Sequence, residues 1–151
     1  RTQSPPSIPG LLRHARYTYA QAMRTDLAAA GFDDIPKNGL YVIGGLALGQ
    51  GEVPLAQLIA ELRISKQLAG QLVDNLVVRG YLERTPDPDD RRRFVIALSE
   101  RGQAAAAVQT RARARIDAAL ARRIGRENLE TLRRGLIVLA TLFHEDSGEA
   151  A

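Results

Sequence analysis

The 151-residue chain contains no cysteine, so disulfides, thiolate metal sites and any mechanism built on a reactive thiol are excluded. It has no tryptophan, a single methionine and only 5% aromatic residues, so leucine, valine, isoleucine and alanine must build the core. The only histidines, His14 and His144, lie one in each terminal helix without a nearby third ligand, and neither a metal nor a cofactor is expected. No apolar run approaches the roughly 18 residues that cross a bilayer, and no apolar leader opens the chain. The expectation is a soluble, cytoplasmic protein without membrane contact. Lysine is also scarce: of the 21 basic residues only Lys37 and Lys66 are lysines, and the rest are arginines. Against 17 acids this gives a net charge of +4, compatible with nucleic acid but weak evidence alone. Where the arginines sit matters more than how many there are.

The apolar periodicity organises the chain as a single domain, 1–151, that is mainly α with a small β-hairpin. Residues 1–7 are Pro- and Ser-rich and read as a loosely ordered leader. From Ile8 to about Ala30, Leu12, Tyr19, Met23 and Leu27 share one face of a helix that Gly31 ends. Asn38 to Leu48 is a buried helix, residues 49–52 a turn, and Pro54 to Leu62 a short helix with proline in its first turn. Ser65 caps a further helix to Arg79, with Leu68, Leu72, Leu76 and either Val73 or Val77 inward. The period then changes to two. Tyr81–Arg84 and Phe94–Leu98 form a hairpin around a charged tip, with Phe94, Ile96 and Leu98 on one face. Ser99 caps a long helix to about Ile124, and Glu127–His144 closes the chain before a frayed end. In that last helix Leu129, Leu132, Leu136, Leu139 and Phe143 are spaced 3, 4, 3, 4, the pattern of a helix packing lengthwise on another.

Two short helices joined by a tight turn and followed by a hairpin make a winged helix-turn-helix, here over 36–100. A helix that enters a major groove needs small or polar residues at its exposed N-terminal end. Ser65, Lys66, Gln67, Ala69, Gly70 and Gln71 meet that need. Glutamine presents a donor and an acceptor to an adenine edge, and lysine reaches guanine or phosphate. At the hairpin tip, Asp87-Pro88-Asp89-Asp90-Arg91-Arg92-Arg93 is harder to explain as a solvated turn. An arginine there can enter the narrow minor groove if a carboxylate aims it, and Asp90 could do so through a bidentate pair with Arg92. Winged helices also serve as protein–protein adaptors, but an adaptor has no need for three successive arginines beside Asp90. Catalysis finds no support: there is no Ser-His-Asp arrangement, and no Gly-rich phosphate loop follows a strand. The seven arginines between Arg101 and Arg126 are interleaved with alanine and read as a solvated helix whose field attracts DNA.

The segments ISKQLAGQLVDNLVVRGYLER (64–84) and DPDDRRRFVIALSERG (87–102) resemble the MarR (multiple-antibiotic-resistance regulator) family of bacterial winged-helix transcription regulators. The specific marks are Asp90 and Arg92, the preceding Asp-Pro, and Leu98-Ser99-Glu100-Arg101-Gly102. The resemblance implies a cytoplasmic, homodimeric regulator, usually a repressor, bound to a palindromic operator on duplex DNA. It implies dimerisation through 8–30 and 103–145, with Leu12, Tyr19, Met23, Leu132, Leu136, Leu139 and Phe143 as the contact residues. Ser65, Lys66, Gln67 and Gln71 match the groove-facing helix, Asp90 and Arg92 the wing pair, and Arg91 and Arg93 phosphate contacts. A small aromatic or phenolic effector is a further implication, with Tyr17 and Tyr41 as candidate pocket residues. The missing cysteines set the chain apart from the family's thiol-based peroxide sensors. A His14–His144 zinc site would lack further ligands.

Overall fold

In a computed structural model the structure describes residues 4–48 and 55–148, with side chains to residue 142. Its elements are α1 (Ile8–Ala29), α2 (Gly39–Leu48), α3 (Leu55–Leu62), α4 (Lys66–Val78), β1 (Leu82–Pro86), β2 (Phe94–Leu98), α5 (Glu100–Ile124) and α6 (Arg126–Gly148). The expected turn at 49–52, Pro54, and the side chains of Phe143 and His144 lie outside the described residues. Residues 1–113 form one compact unit and 114–151 a second.

The helix starts are set by side-chain caps. Ser7 accepts from the Gly10 amide, so the expected leader ends in a structural residue. Ser65 accepts from the Leu68 amide at 3.2 Å, and Ser99 from the Gly102 amide at 3.0 Å. Each satisfies one of the amides that a helix N-terminus leaves open. The α3–α4 turn runs through Arg63 at φ 52, a left-handed residue that ends α3 and redirects the chain into α4.

The first unit closes around Leu27, Ile35, Val42, Ile43, Leu58, Leu72, Leu76, Tyr81 and Ala105. Gln109 is buried among them and donates to the Leu40 carbonyl at 3.2 Å. Two sequence expectations change here. Leu68 is exposed and Ala69 is buried, the reverse of the expected assignment. At about 100° per residue Leu68 and Ala69 flank Leu72 and Leu76 on opposite sides, and the core closes on the Ala69 side, where Val73 and Val77 also pack. The hairpin also departs from strict alternation. Leu82 pairs with Leu98 and Pro86 with Phe94, but Phe94 and Val95 are exposed because they lie towards the tip, away from the core. Tyr81 precedes the strand and is fully buried.

In the second unit, α6 continues to Gly148, four residues past the expected end. Leu132, Leu136, Ile137, Val138, Leu139 and Leu142 are all exposed on it. Gly125, at φ +84, separates α6 from α5. No helix among the described residues is long and apolar enough to cross a membrane.

The start of α5 tolerates no side chain at Gly102, where a Cβ would lie 2.0 Å from the Tyr81 carbonyl oxygen. The Gly102→Ala variant is therefore expected to lose at least about 2 kcal/mol of stability, the range typical of forced overpacking. Urea denaturation of parent and variant measures the difference.

Candidate DNA interface

The polar residues at the start of α4 reach the surface because the opposite face, Ala69, Leu72 and Leu76, is sealed into the core. Lys66, Gln67 and Gln71 are exposed, and the two glutamines sit one turn apart on the same face. The Ser65 oxygen is engaged as the cap, which leaves its hydroxyl proton as the group available to an outside acceptor. Asp74 lies farther along this face, where a bare carboxylate would repel a phosphate. Arg84 of β1 pairs with it at 2.5 Å. The pair cancels the charge and ties the hairpin to α4.

The hairpin tip is built around the Asp90 carboxylate. One of its oxygens accepts from both the backbone amide of Arg92, at 3.1 Å, and the Arg92 Nε, at 3.2 Å. The other lies 3.8 Å from the Arg93 Nε. Asp90 and Arg92 therefore meet as expected, but not as a bidentate fork. One carboxylate oxygen holds backbone and side chain of the same arginine, and the second faces the next arginine. Turn formation and arginine placement are thus one interaction. The Asp89 amide donates to Asp87 and the Asp87 amide to the Arg93 carbonyl, closing the loop. The Arg92 side chain is 91% exposed, so its guanidinium projects into solvent from an anchored base.

Sequence reading missed a cluster behind this surface. Tyr81 donates its phenol to Asp34, and Arg101 donates to the same Asp34 oxygen at 3.1 Å and to the Tyr81 oxygen at 3.0 Å. The Arg101 guanidinium also lies 4.6 Å from the Tyr81 ring centre and 5.2 Å from that of Phe32, within cation–π range. Arg79 donates to the Asp34 carbonyl, and Ser99 to the Gly80 carbonyl. The segment before α2, the end of α4, the start of the hairpin and the start of α5 all converge here. The Tyr81 hydrogen bond, followed by the Arg101 charge, holds the Asp34 carboxyl below its usual range. Burial, then the Asp34 carboxylate, pushes the Tyr81 phenol up to about 12. The cluster was hidden because its members are 20 to 67 residues apart, and Asp34 alone reads as a turn acid.

The two expected pocket tyrosines find separate partners. Tyr17 is exposed on α1, where its oxygen accepts from Gln21, and Tyr41 donates to Glu61 of α3. Neither lines the cavity of about 470 Å3 between the end of α2, β2 and α5, where Leu46, Ile96, Ala106 and Thr110 contribute walls. Of the expected contact residues, Leu12 is exposed, Tyr19 and Met23 are half-buried, and Leu132, Leu136 and Leu139 are exposed. Among the described residues no three metal-ligating side chains come together.

The MarR family model matches residues 34–93, from the Asp34 anchor through the arginines of the tip. Over that segment the chain is similar to the MarR family. The fold agrees over a longer stretch. A solved MarR structure superposes with a TM-score of 0.70 at 18% identity, covering 99% of each chain. A complex of S. aureus MepR with DNA gives 0.69 at 19% identity, over 91% of this chain and 98% of that one. S. aureus MepR bound to ethidium bromide gives 0.60 at 19% identity, over 90% and 96%. No curated protein matches the chain.

The Asp34 cluster carries a definite pH dependence. Because its folded pKa is lowered, Asp34 stabilises the fold fully above the ordinary carboxylate value of 3.8, and that contribution is lost as pH falls through the folded value. The stability gap between parent and Asp34→Asn should therefore narrow between about pH 5 and pH 3. Urea midpoints across that range measure it, and a constant gap contradicts the assignment.

Proposed function

We propose that the chain is a sequence-specific duplex-DNA-binding transcription regulator, a repressor of the MarR type, with α4 in the major groove and the wing tip in the adjacent minor groove. One observation carries this reading. A capped helix exposing Lys66, Gln67 and Gln71 stands beside an arginine anchored at its base by Asp90, and the Arg84–Asp74 pair joins the two. Base edges are read by side chains such as these glutamines, whereas the exposed Lys66, Arg91 and Arg93 reach phosphates and so position the helix. The MepR complex with DNA shows that a protein of this fold meets DNA. An adaptor surface would gain nothing from three exposed guanidiniums on a braced tip.

The regulator acts as a two-fold homodimer on a palindromic operator. Six apolar side chains of α6, from Leu132 to Leu142, face water in the single chain, as do Ile8, Leu11 and Leu12 of α1. Burying a leucine is worth about 1.5–3 kcal/mol, so each of these apolar stretches favours a partner. A second copy supplies the same surface by symmetry.

Two measurements test this. A randomised duplex library should yield an enriched, two-fold symmetric sequence, and sedimentation should show a dimer that charged replacements of Leu136 and Leu139 dissociate, with loss of DNA binding. On the enriched duplex, Asp90→Ala should weaken binding although it raises the net positive charge. Simple electrostatics demands the opposite sign. The Asp90→Ala/Arg92→Ala double variant should be little worse than Arg92→Ala alone, with a coupling of about 0.5–3 kcal/mol. Tighter binding by a folded Asp90→Ala protein would show that Asp90 aims nothing.

A further inference from the structure

The exposed face of α4 carries two residues that the fold does not require. Leu68 is 53% exposed, while Ala69, Leu72 and Leu76 supply the buried face. Gly70 lies inside the helix, and nothing stands within 4 Å of the position a Cβ would take. A glycine inside a helix is less stable than alanine, because it adds backbone freedom to the unfolded chain and packs nothing. Neither residue has its reason inside the chain.

Their placement suggests an outside one. At 3.6 residues per turn, Leu68 lies about 60° beyond Gln71 and Gly70 about 60° beyond Gln67, on opposite sides of the glutamine face. The reading surface thus has an isobutyl group along one border and a missing side chain along the other. Both fall in the first turn and a half after the Ser65 cap, the part of such a helix that meets base edges. In the major groove thymine differs from the other bases in presenting a methyl group, and an apolar side chain is its complement. Adenine pairs with thymine, so a glutamine that reads adenine sits close to the methyl that a neighbouring leucine can touch.

Resting on the DNA-reading function above, we propose that Leu68 packs against the C5-methyl of an operator thymine, and that Gly70 gives the clearance that lets α4 sit deep enough to reach it. This makes Leu68 and Gly70 specificity determinants beside the hydrogen-bonding glutamines. It also gives a reason for a leucine to remain in water among the polar residues that begin α4.

The test uses the duplex enriched by the parent protein, with each thymine replaced in turn by deoxyuridine, which lacks only the methyl. Parent protein should lose about fourfold in affinity per half-site at one position, the value of one buried carbon. Leu68→Ala should bind the unmodified duplex more weakly and show no further loss from uracil at that position, while Leu68→Met should retain the uracil effect. Gly70→Ala should move two readouts in opposite directions: its Tm should rise, by about 2–4 °C, while its affinity for the duplex falls at least fivefold. Indifference of the parent to uracil at every thymine, or a uracil effect that survives in Leu68→Ala, overturns the methyl contact. Unchanged affinity in Gly70→Ala overturns the clearance. A library that enriches no sequence removes the DNA-reading function itself, and this contact with it.

Discussion

The arrangement of the elements proposed to face DNA depends on the close approach of Gly102 to the Tyr81 carbonyl. It lets the first turn of α5 lie directly on the backbone where α4 ends and the hairpin begins. Ser99 adds a hydrogen bond to the Gly80 carbonyl from the same turn, and Arg101 reaches across to Tyr81 and Asp34. The end of α4, the root of the hairpin and the start of α5 are therefore fixed at one point. Two surfaces can enter adjacent grooves together only if their relative position is held before DNA arrives. The buried Tyr81 and its carboxylate and guanidinium partners supply that rigidity.

Charge on the proposed reading surface is arranged by position rather than by sum. The segment 79–93 holds five arginines and four acids, yet the acids do not simply dilute the positive field. Asp74 is neutralised by Arg84, which removes a repulsive carboxylate from the helix face and braces the hairpin at the same time. Asp90 is used on both oxygens and on the backbone, so the tip is rigid at its base while the Arg92 guanidinium stays in solvent. The result resembles a directed contact more than a basic patch. Exposed ion pairs contribute little to stability, so the effect of these pairs falls mainly on placement.

The helices were legible because the apolar residues repeat with the helical period and because Ser65 and Ser99 mark starts with a side-chain acceptor. The wing was legible from the change to period two around Asp87–Arg93. Three things were not. The inward face of α4 was misjudged because leucines at 68, 72 and 76 are conspicuous, while Ala69 is small and easily overlooked as the buried residue. The Tyr81 cluster joins residues far apart in sequence, and no local pattern announces it. Gly102 stood in a recognised motif, but its purpose depends on a backbone contact across 21 residues, which only the fold reveals.

The central claim is that exposed cations on a rigid winged lobe bind the DNA backbone while α4 reads bases. The direct measurement is the affinity of the parent protein for its enriched duplex over a salt series from about 50 to 200 mM. Each phosphate neutralised should contribute about −0.9 to the slope of log affinity against log salt, and replacing Arg91 or Arg93 by alanine should make the slope shallower by about one. A flat salt response, with binding to duplex indifferent to these arginines, would contradict the account.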